Sequence, residues 1–367
     1  MSTGAAAPPL ARPARAEPPA WVEAVGVRAG SIVAAFAVGA VFLAATGHDP
    51  AHAYREMAVG AFGSSFAVEQ TLVKAIPLAL AGLGVALAFT MGLWNVGAEG
   101  QLAVGALAAS WLALSAGGLP AAVVLPGLTL LGALGGAAWA LVPAALRAYA
   151  GVNEIISTLM LNYVALLWVD YLVFGAWADP TAFSFPYSRR FPEAAHLPRL
   201  YGDVHAGALA ALVAAAGLAL LLGRTRWGYE IRTIGASQAA ARYAGIPVRR
   251  RILLVMATSG ALAGLAGAGE VSGVIHRIQQ GLSPGYGFTA IIVAWVAQLR
   301  PWAVVLVAVL FAALLNGGFV LQTAGVPAAI AYMLQAMILT FVLAGEYLLR
   351  RLRRRRAVAA ARALAPP

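Results

Sequence analysis

The sequence predicts an all-α protein that crosses a membrane many times, a polytopic transmembrane helical bundle of about ten spans arranged as two inverted four-helix repeats. Three observations carry this. Of the 367 residues, 61% are hydrophobic and only 11% are charged, whereas a soluble domain carries about 25% charged residues. The apolar residues fall in runs long enough for bilayer spans, which need roughly 20 residues each. The basic residues gather at the ends of those runs. A ten-span arrangement puts nineteen of the 25 on one side and six on the other. Basic residues mark the cytoplasmic face, so both termini are expected inside.

Residues 1–30 form an Ala/Pro/Arg tail whose composition points to disorder. The membrane domain covers 31–349, and 350–367 is a basic cytoplasmic tail. The first apolar run, Ser31 to Thr46, precedes a small-x-small triplet, Ala51-His52-Ala53, as a signal peptide would. The long polar region before it and the lack of a soluble domain after it favour a retained anchor. His48 to Thr71 reads as a polar external stretch. Further spans follow at Leu72–Leu93, from there to Ala116, at Ala121–Leu141, Ile155–Phe174, His205–Leu222 and Ile252–Val274. A short eighth span, Phe288–Leu299, precedes Trp302–Gly317 and Ala328–Leu349. Residues 175–203 form the longest external loop, rich in aromatics and prolines, and 322–327 a short one.

Composition also excludes chemistries. Without cysteine there is no disulfide and no thiolate metal site. Lys74 is the one lysine, and no GxxxxGK[ST] occurs, so a P-loop ATPase is excluded. The net charge of +11 comes from arginines at span ends, which fits topology and lipid headgroups and not nucleic acid. His276 has no neighbouring histidine in sequence and reads as an external loop residue, so no metal site is expected.

Spans two to five and seven to ten form two sets of opposite direction. Matching junctions carry Gly/Pro interruptions, Asn95-Val96-Gly97-Ala98-Glu99-Gly100-Gln101 in one set and Gly281 to Phe288 in the other. Paired interruptions of this kind point to a solute path, because broken helices expose backbone groups that only water or a polar solute satisfies. Asn95, Glu99, Gln101, Asn162, Tyr163, Tyr286 and Phe288 are the candidate path residues. Glu99 reads first as a cap of the third span, and Asn162-Tyr163 also as a helix–helix hydrogen bond. Asp170 and Glu270 are carboxylates placed deep in apolar runs, where they are costly unless paired or wet.

The one long polar segment between spans is Arg224 to Arg251, with seven arginines. Gly228 to Ile234 reads as a short helix. Ser237 is a good N-cap, Gln238 to Tyr243 is helical with three consecutive alanines, and Gly245 and Pro247 end it.

WGYEIRTIGASQAAARYAGIPV is similar to the cytoplasmic coupling segment of bacterial ABC-importer permeases, in the branch that serves ribose, branched-chain amino acids and nucleosides. Gly228, Arg232, Gly235, Ala239, Ala240, Gly245 and Ile246 match that pattern. GLWNVGAEGQL, GVNEIISTLMLNYVALLWVDY and GYGFTAIIVAWVAQLRPW resemble the nucleoside-type permeases, over about Leu72 to Leu349. Ribose permeases carry an Asp-Leu-Ser-type motif where this chain has Asn95 to Gln101, and Trp94 stands where phenylalanine is common. The resemblance implies a bacterial inner-membrane permease that is not itself an enzyme. Its partners would be an ABC ATPase subunit holding ATP and Mg, a second homologous permease and an extracytoplasmic substrate-binding protein. An ion-gradient-driven secondary transporter is the alternative, resting on Asp170 and Glu270. An intramembrane enzyme lacks a catalytic set.

Overall fold

The computed structural model describes residues 20–183, 185–323, 327 and 329–364. Among them it contains thirteen α-helices and one small hairpin. In order these are α1 (Ala20–Ala45), α2 (Pro50–Phe62), α3 (Ser65–Thr90), α4 (Ala98–Ser115), α5 (Ala121–Ala150) and α6 (Glu154–Phe174). After the loop come strands β1 (Arg199–Tyr201) and β2 (Val204–His205), then α7 (Gly207–Arg224), α8 (Arg226–Ala236) and α9 (Gln238–Tyr243). Helices α10 (Val248–Glu270), α11 (Tyr286–Val296), α12 (Pro301–Thr323) and α13 (Ala329–Leu364) complete it.

Seven of these helices, α3, α5, α6, α7, α10 with its π-turn to Ile275, α12 and α13, are long and apolar enough to cross a membrane. The other three expected spans have visible reasons to differ. Helix α1 bends by 119° into α2. Helix α4 carries Glu99 and Gln101 and is mostly buried. Helix α11 has 11 residues, a rise of about 16 Å against a hydrocarbon core of about 30 Å.

Local chemistry sets the ends. Ser64 caps α3 by accepting from Ala67 N at 3.1 Å. Asn153 caps α6 through Ile155 N at 2.9 Å. Gly151, at φ 67°, turns the chain out of α5. Two expectations are corrected here. The stretch His48 to Thr71 is not a polar connector: it holds α2, capped by Asp49, and the first turns of α3. Ala53, Met57, Gly60 and Ala61 bury one face of α2. Residues 20–30, placed with the tail by composition, are helical and open α1, while 1–19 lie outside the described residues. The helix of 329–364 also runs on through most of the basic tail; part of the external turn of 322–327 lies outside the described residues.

Helices α3 and α10 form the buried centre, whereas α5, α6 and α7 turn most of their surface outward. Packing repeats between the two halves. Helix α10 packs on α5 and α4, as α3 packs on α12 and α11. Helix α4 packs on α5 and α6, as α11 packs on α12 and α13. Exchanging α3–α6 for α10–α13 maps each of these pairs onto another, the pattern expected of two structural repeats.

Glycine makes the closest crossing possible. Gly132 and Gly136 on α5 face Gly260 and Gly264 on α10, each pair spaced i, i+4. A Cβ on Gly264 would meet Gly132 O at 2.1 Å, and one on Gly260 would meet Gly136 O at 2.4 Å. Gly105 of α4 abuts Gly264 from the other side. Apolar side chains gain little by leaving lipid, so such backbone-to-backbone packing holds membrane helices together. Gly264→Leu is therefore expected to cost at least ~1–3 kcal/mol through overpacking and to abolish the monodisperse peak in size-exclusion chromatography of the detergent-extracted protein. Gly217→Leu, with nothing within 4 Å of the added Cβ, is expected to leave that peak intact.

Candidate functional site

The chain breaks between α3 and α4, and a polar network fills the break. Gly92, at φ 77°, turns the backbone out of α3. Asn95 Nδ2 donates to Gln101 Oε1 at 2.9 Å and to Ser259 Oγ of α10 at 2.8 Å. Its Oδ1 accepts from Gln101 Nε2 at 2.9 Å and from Gly97 N at 3.1 Å. Asn162 of α6 accepts from Gly100 N at 2.8 Å and donates to Val96 O at 2.9 Å. Glu154 accepts from Trp94 N at 3.4 Å and pairs with Arg147 at 3.2 Å, which ties the ends of α5 and α6 to the same break. Asn95, Gln101, Asn162 and Glu154 are all buried. Broken backbone inside an apolar bundle requires such partners.

The second break lies between α10 and α11. Helix α10 ends in a π-turn, Val271–Ile275, and His276 takes φ 57°. Ser283 Oγ accepts from Gly285 N and Tyr286 N at 3.1 and 2.9 Å, opening α11. Here the two breaks meet. Glu99 Oε2 accepts from Gly287 N at 2.7 Å. Glu99 thus caps α11, not only its own helix. The approach is so close that a Cβ on Gly287 would lie 2.2 Å from Glu99 N. Two helix N-termini, both regions of positive potential, share one carboxylate.

Beside this crossing is a cavity of about 310 Å³, within the range of small-molecule sites. Glu99, Asp170, Gln280 and Ser283 supply polar groups, and Phe288, Leu166 and Leu282 supply apolar wall. Asp170, deep in an apolar run, faces this space.

The polar segment between α7 and α10 is built as two helices at the end of the bundle where α3 stops. A Cβ on Gly235 would meet Thr90 O at 2.2 Å, so α8 lies directly on the end of α3. Gly228 approaches Leu221 O equally closely. Close approach, not positive φ, is what requires glycine at 235; Gly245, at φ 74°, is the position with left-handed backbone. Ser237 caps α9 through Ala240 N at 3.3 Å. Ala239, Ala240 and Ala244 are exposed, and so is Arg232, while Ile246 is partly buried. Tyr243 is 97% exposed. Buried Glu230 pairs with Arg226 at 3.0 Å and with Arg251 of α10, whose guanidinium lies 4.9 Å from the Trp227 ring. Burial pushes the Glu230 carboxyl up, but the hydrogen bond and charge of Arg251, then those of Arg226, outweigh it and hold it below its ordinary value.

The family described as branched-chain amino acid transport system / permease component matches residues 67–343. The chain belongs to this family. It is a multi-pass membrane protein and an ABC-transporter permease component. It is 41% identical to the glucose ABC transporter permease protein TsgB13 of Haloferax volcanii over 342 residues, 90% of this chain and 89% of the relative. It is 35% identical to the guanosine ABC transporter permease protein NupP of Bacillus subtilis over 329 residues, 87% and 93% of the two chains. A second guanosine permease protein of that organism, NupQ, is 30% identical over 236 residues, 62% of this chain and 73% of the relative.

In this permease the seven path candidates separate. Glu99 and Phe288 line the cavity. Asn95, Gln101 and Asn162 are hydrogen-bonded to the first break. Tyr286 is buried at the start of α11, and Tyr163 is 59% exposed away from the cavity. Ser259, Ser283 and Gln280 join the site, and Glu230 the α8–α9 segment, without having been singled out in sequence. Serine is too common in helices to stand out. Glu230 sits at i+4 from Arg226, which was a readable signal. His276 needs correcting: it stacks on His196 with ring centroids 3.8 Å apart, a neighbour 80 residues away in sequence that only folding brings near. Glu99→Gln keeps an acceptor for Gly287 N, whereas Glu99→Ala leaves that buried donor unpaired, a loss of about 1–3 kcal/mol. Thermal unfolding of the purified permease is expected to show a markedly lower Tm for Glu99→Ala than for Glu99→Gln; equal losses would mean that the charge, not the hydrogen bond, holds the crossing.

Proposed function

We propose that this permease carries a nucleoside or related small polar solute across the inner membrane, as the membrane-spanning subunit of an ATP-driven importer. The observation that carries the reading is the cavity at the α4–α11 crossing, where Glu99, Asp170, Gln280 and Ser283 face Phe288. Hydroxyl-rich solutes suit such donors and acceptors, and a base or sugar face suits the aromatic ring. The guanosine permease NupP supports a nucleoside. The glucose permease TsgB13, with its 41% identity, supports a hexose as the second reading.

ATP and magnesium belong on a separate ATPase subunit, because the sequence has no P-loop. The α8–α9 segment is its docking element, with the small exposed residues Ala239, Ala240 and Ala244 permitting close approach. That end of the bundle is then cytoplasmic, and both termini lie on the same side. NupP and NupQ, two guanosine permeases of one organism, favour a heterodimer with a second permease. Residues 175–203 receive the substrate-binding protein at the opposite end. Glu270 lies near enough to Lys74 to feel its charge, the kind of intramembrane pair that an ion-driven carrier would use. Family membership favours the ATP-driven reading.

Reconstitution tests this. Proteoliposomes holding the permeases and the ATPase are expected to take up guanosine with vanadate sensitivity, and glucose competition separates the two solutes. Uptake that persists without the ATPase and follows an imposed ion gradient would overturn the reading. Gly245→Val opposes φ 74°, at a cost of roughly 1 kcal/mol or more, and Ala240→Asp places a charge on the exposed face. Both are expected to reduce ATPase co-purification and abolish uptake while leaving the permease inserted.

A further inference from the structure

Among the described residues a second cavity, of about 1030 Å³, opens where α5 and α9 end and α10 begins. Arg147, Arg242, Arg249 and Arg250 line it together with Tyr149 and Leu253, and no carboxylate does. Arg147 is already paired with Glu154. Arg249 lies over the Tyr149 ring at 5.8 Å. Arg242, Arg249 and Arg250 have no ion pair among the described residues.

Two of these arginines stand where helix electrostatics oppose them. Arg249 and Arg250 occupy the first turn of α10, and a helix N-terminus carries roughly half a positive charge. Arg251, beside them, is neutralised by Glu230. The remaining potential is relieved by an anion, and arginine binds phosphate through paired N–H donors. The location narrows the anion's source. Both α5 and α10 are apolar spans, so the cavity lies at the level where spans leave the hydrocarbon. Tyr149, 65% exposed, has the amphipathic character of residues at that level. The volume is far greater than inorganic phosphate fills, and Leu253 and Val248 give the wall an apolar side.

We propose that this cavity binds the phosphate headgroup of an anionic phospholipid, with Arg242, Arg249 and Arg250 as ligands. The site is distinct from the solute cavity, and through Arg242 it borders the α8–α9 segment.

The test uses the full-length permease in detergent, with native mass spectrometry and thermal unfolding as readouts. Phosphatidylglycerol is compared with phosphatidylcholine and with inorganic phosphate. The wild-type protein is expected to retain and be stabilised by phosphatidylglycerol in preference to both. Arg249→Gln/Arg250→Gln is expected to weaken phosphatidylglycerol binding about 30-fold, from the contribution of two basic residues near an anionic surface, with phosphatidylcholine binding unchanged. Arg189→Gln/Arg190→Gln, at the far end of the bundle, should keep the wild-type preference. Equal binding of the two lipids overturns the proposal, and this comparison needs no variant. Equal protection by inorganic phosphate assigns the site to a free anion and overturns it as well. So does an Arg249→Gln/Arg250→Gln protein that keeps its lipid but no longer co-purifies with the ATPase, since the cavity then belongs to a protein interface. If the glutamine variant fails to fold, Arg249→Lys/Arg250→Lys replaces it: retained phosphatidylglycerol preference supports the site, and a lost one with normal unfolding overturns it.

Discussion

Two helix breaks inside an apolar bundle leave backbone N–H and C=O groups that lipid cannot satisfy, and the rest of the structure is arranged around answering them. Asn95, Gln101 and Asn162 answer the first break, and Ser283 and Glu99 the second. Glu99 belongs to both, since it opens α4 and accepts from the backbone of α11. Each break is met mostly by groups of its own half and is also tied to the other half. The Asn95 network needs Ser259 of α10, and α11 needs the carboxylate of α4. The two repeats therefore complete each other, and the polar surface left over at their meeting point is the cavity beside Phe288.

The same central helices connect that cavity with the far end of the chain's polar segment. Helix α3 stops at the backbone of Gly235 on α8 and leads straight into the Asn95 break. Helix α10 begins beside α9, is tied to α8 by the Arg251–Glu230 pair, and carries Ser259. Helix α8 thus touches both helices that hold the first break. The glycine faces of α5 and α10 allow direct backbone contact between these two helices.

Much of this was legible in the sequence. Helix α9 follows from Ser237, three alanines, Gly245 and Pro247, and its observed bounds, Gln238–Tyr243, are those expected. The positions of both breaks follow from glycine, asparagine and proline in apolar surroundings. Helix α2 was missed because His52, Arg55 and Glu56 make the stretch look like a connector, although Ala53, Met57 and Ala61 repeat at helical spacing. The facing glycines of α5 and α10 were readable as i, i+4 pairs, but which helices face each other is set by tertiary packing. Glu99 reaching Gly287, 188 residues away, and His196 stacking on His276 are long-range pairings that no local pattern contains.

In the proposed function, solute passes beside the α4–α11 crossing. The chain has no native cysteine, so one introduced thiol reports on one place. In the assembled transporter, modification of Phe288→Cys by a small thiol reagent is expected to block uptake and to be slowed by the transported solute. Modification of Tyr163→Cys, outside the cavity, should show no such protection. A Phe288→Cys thiol that reacts at the same rate with and without solute, while uptake continues after modification, would contradict the account.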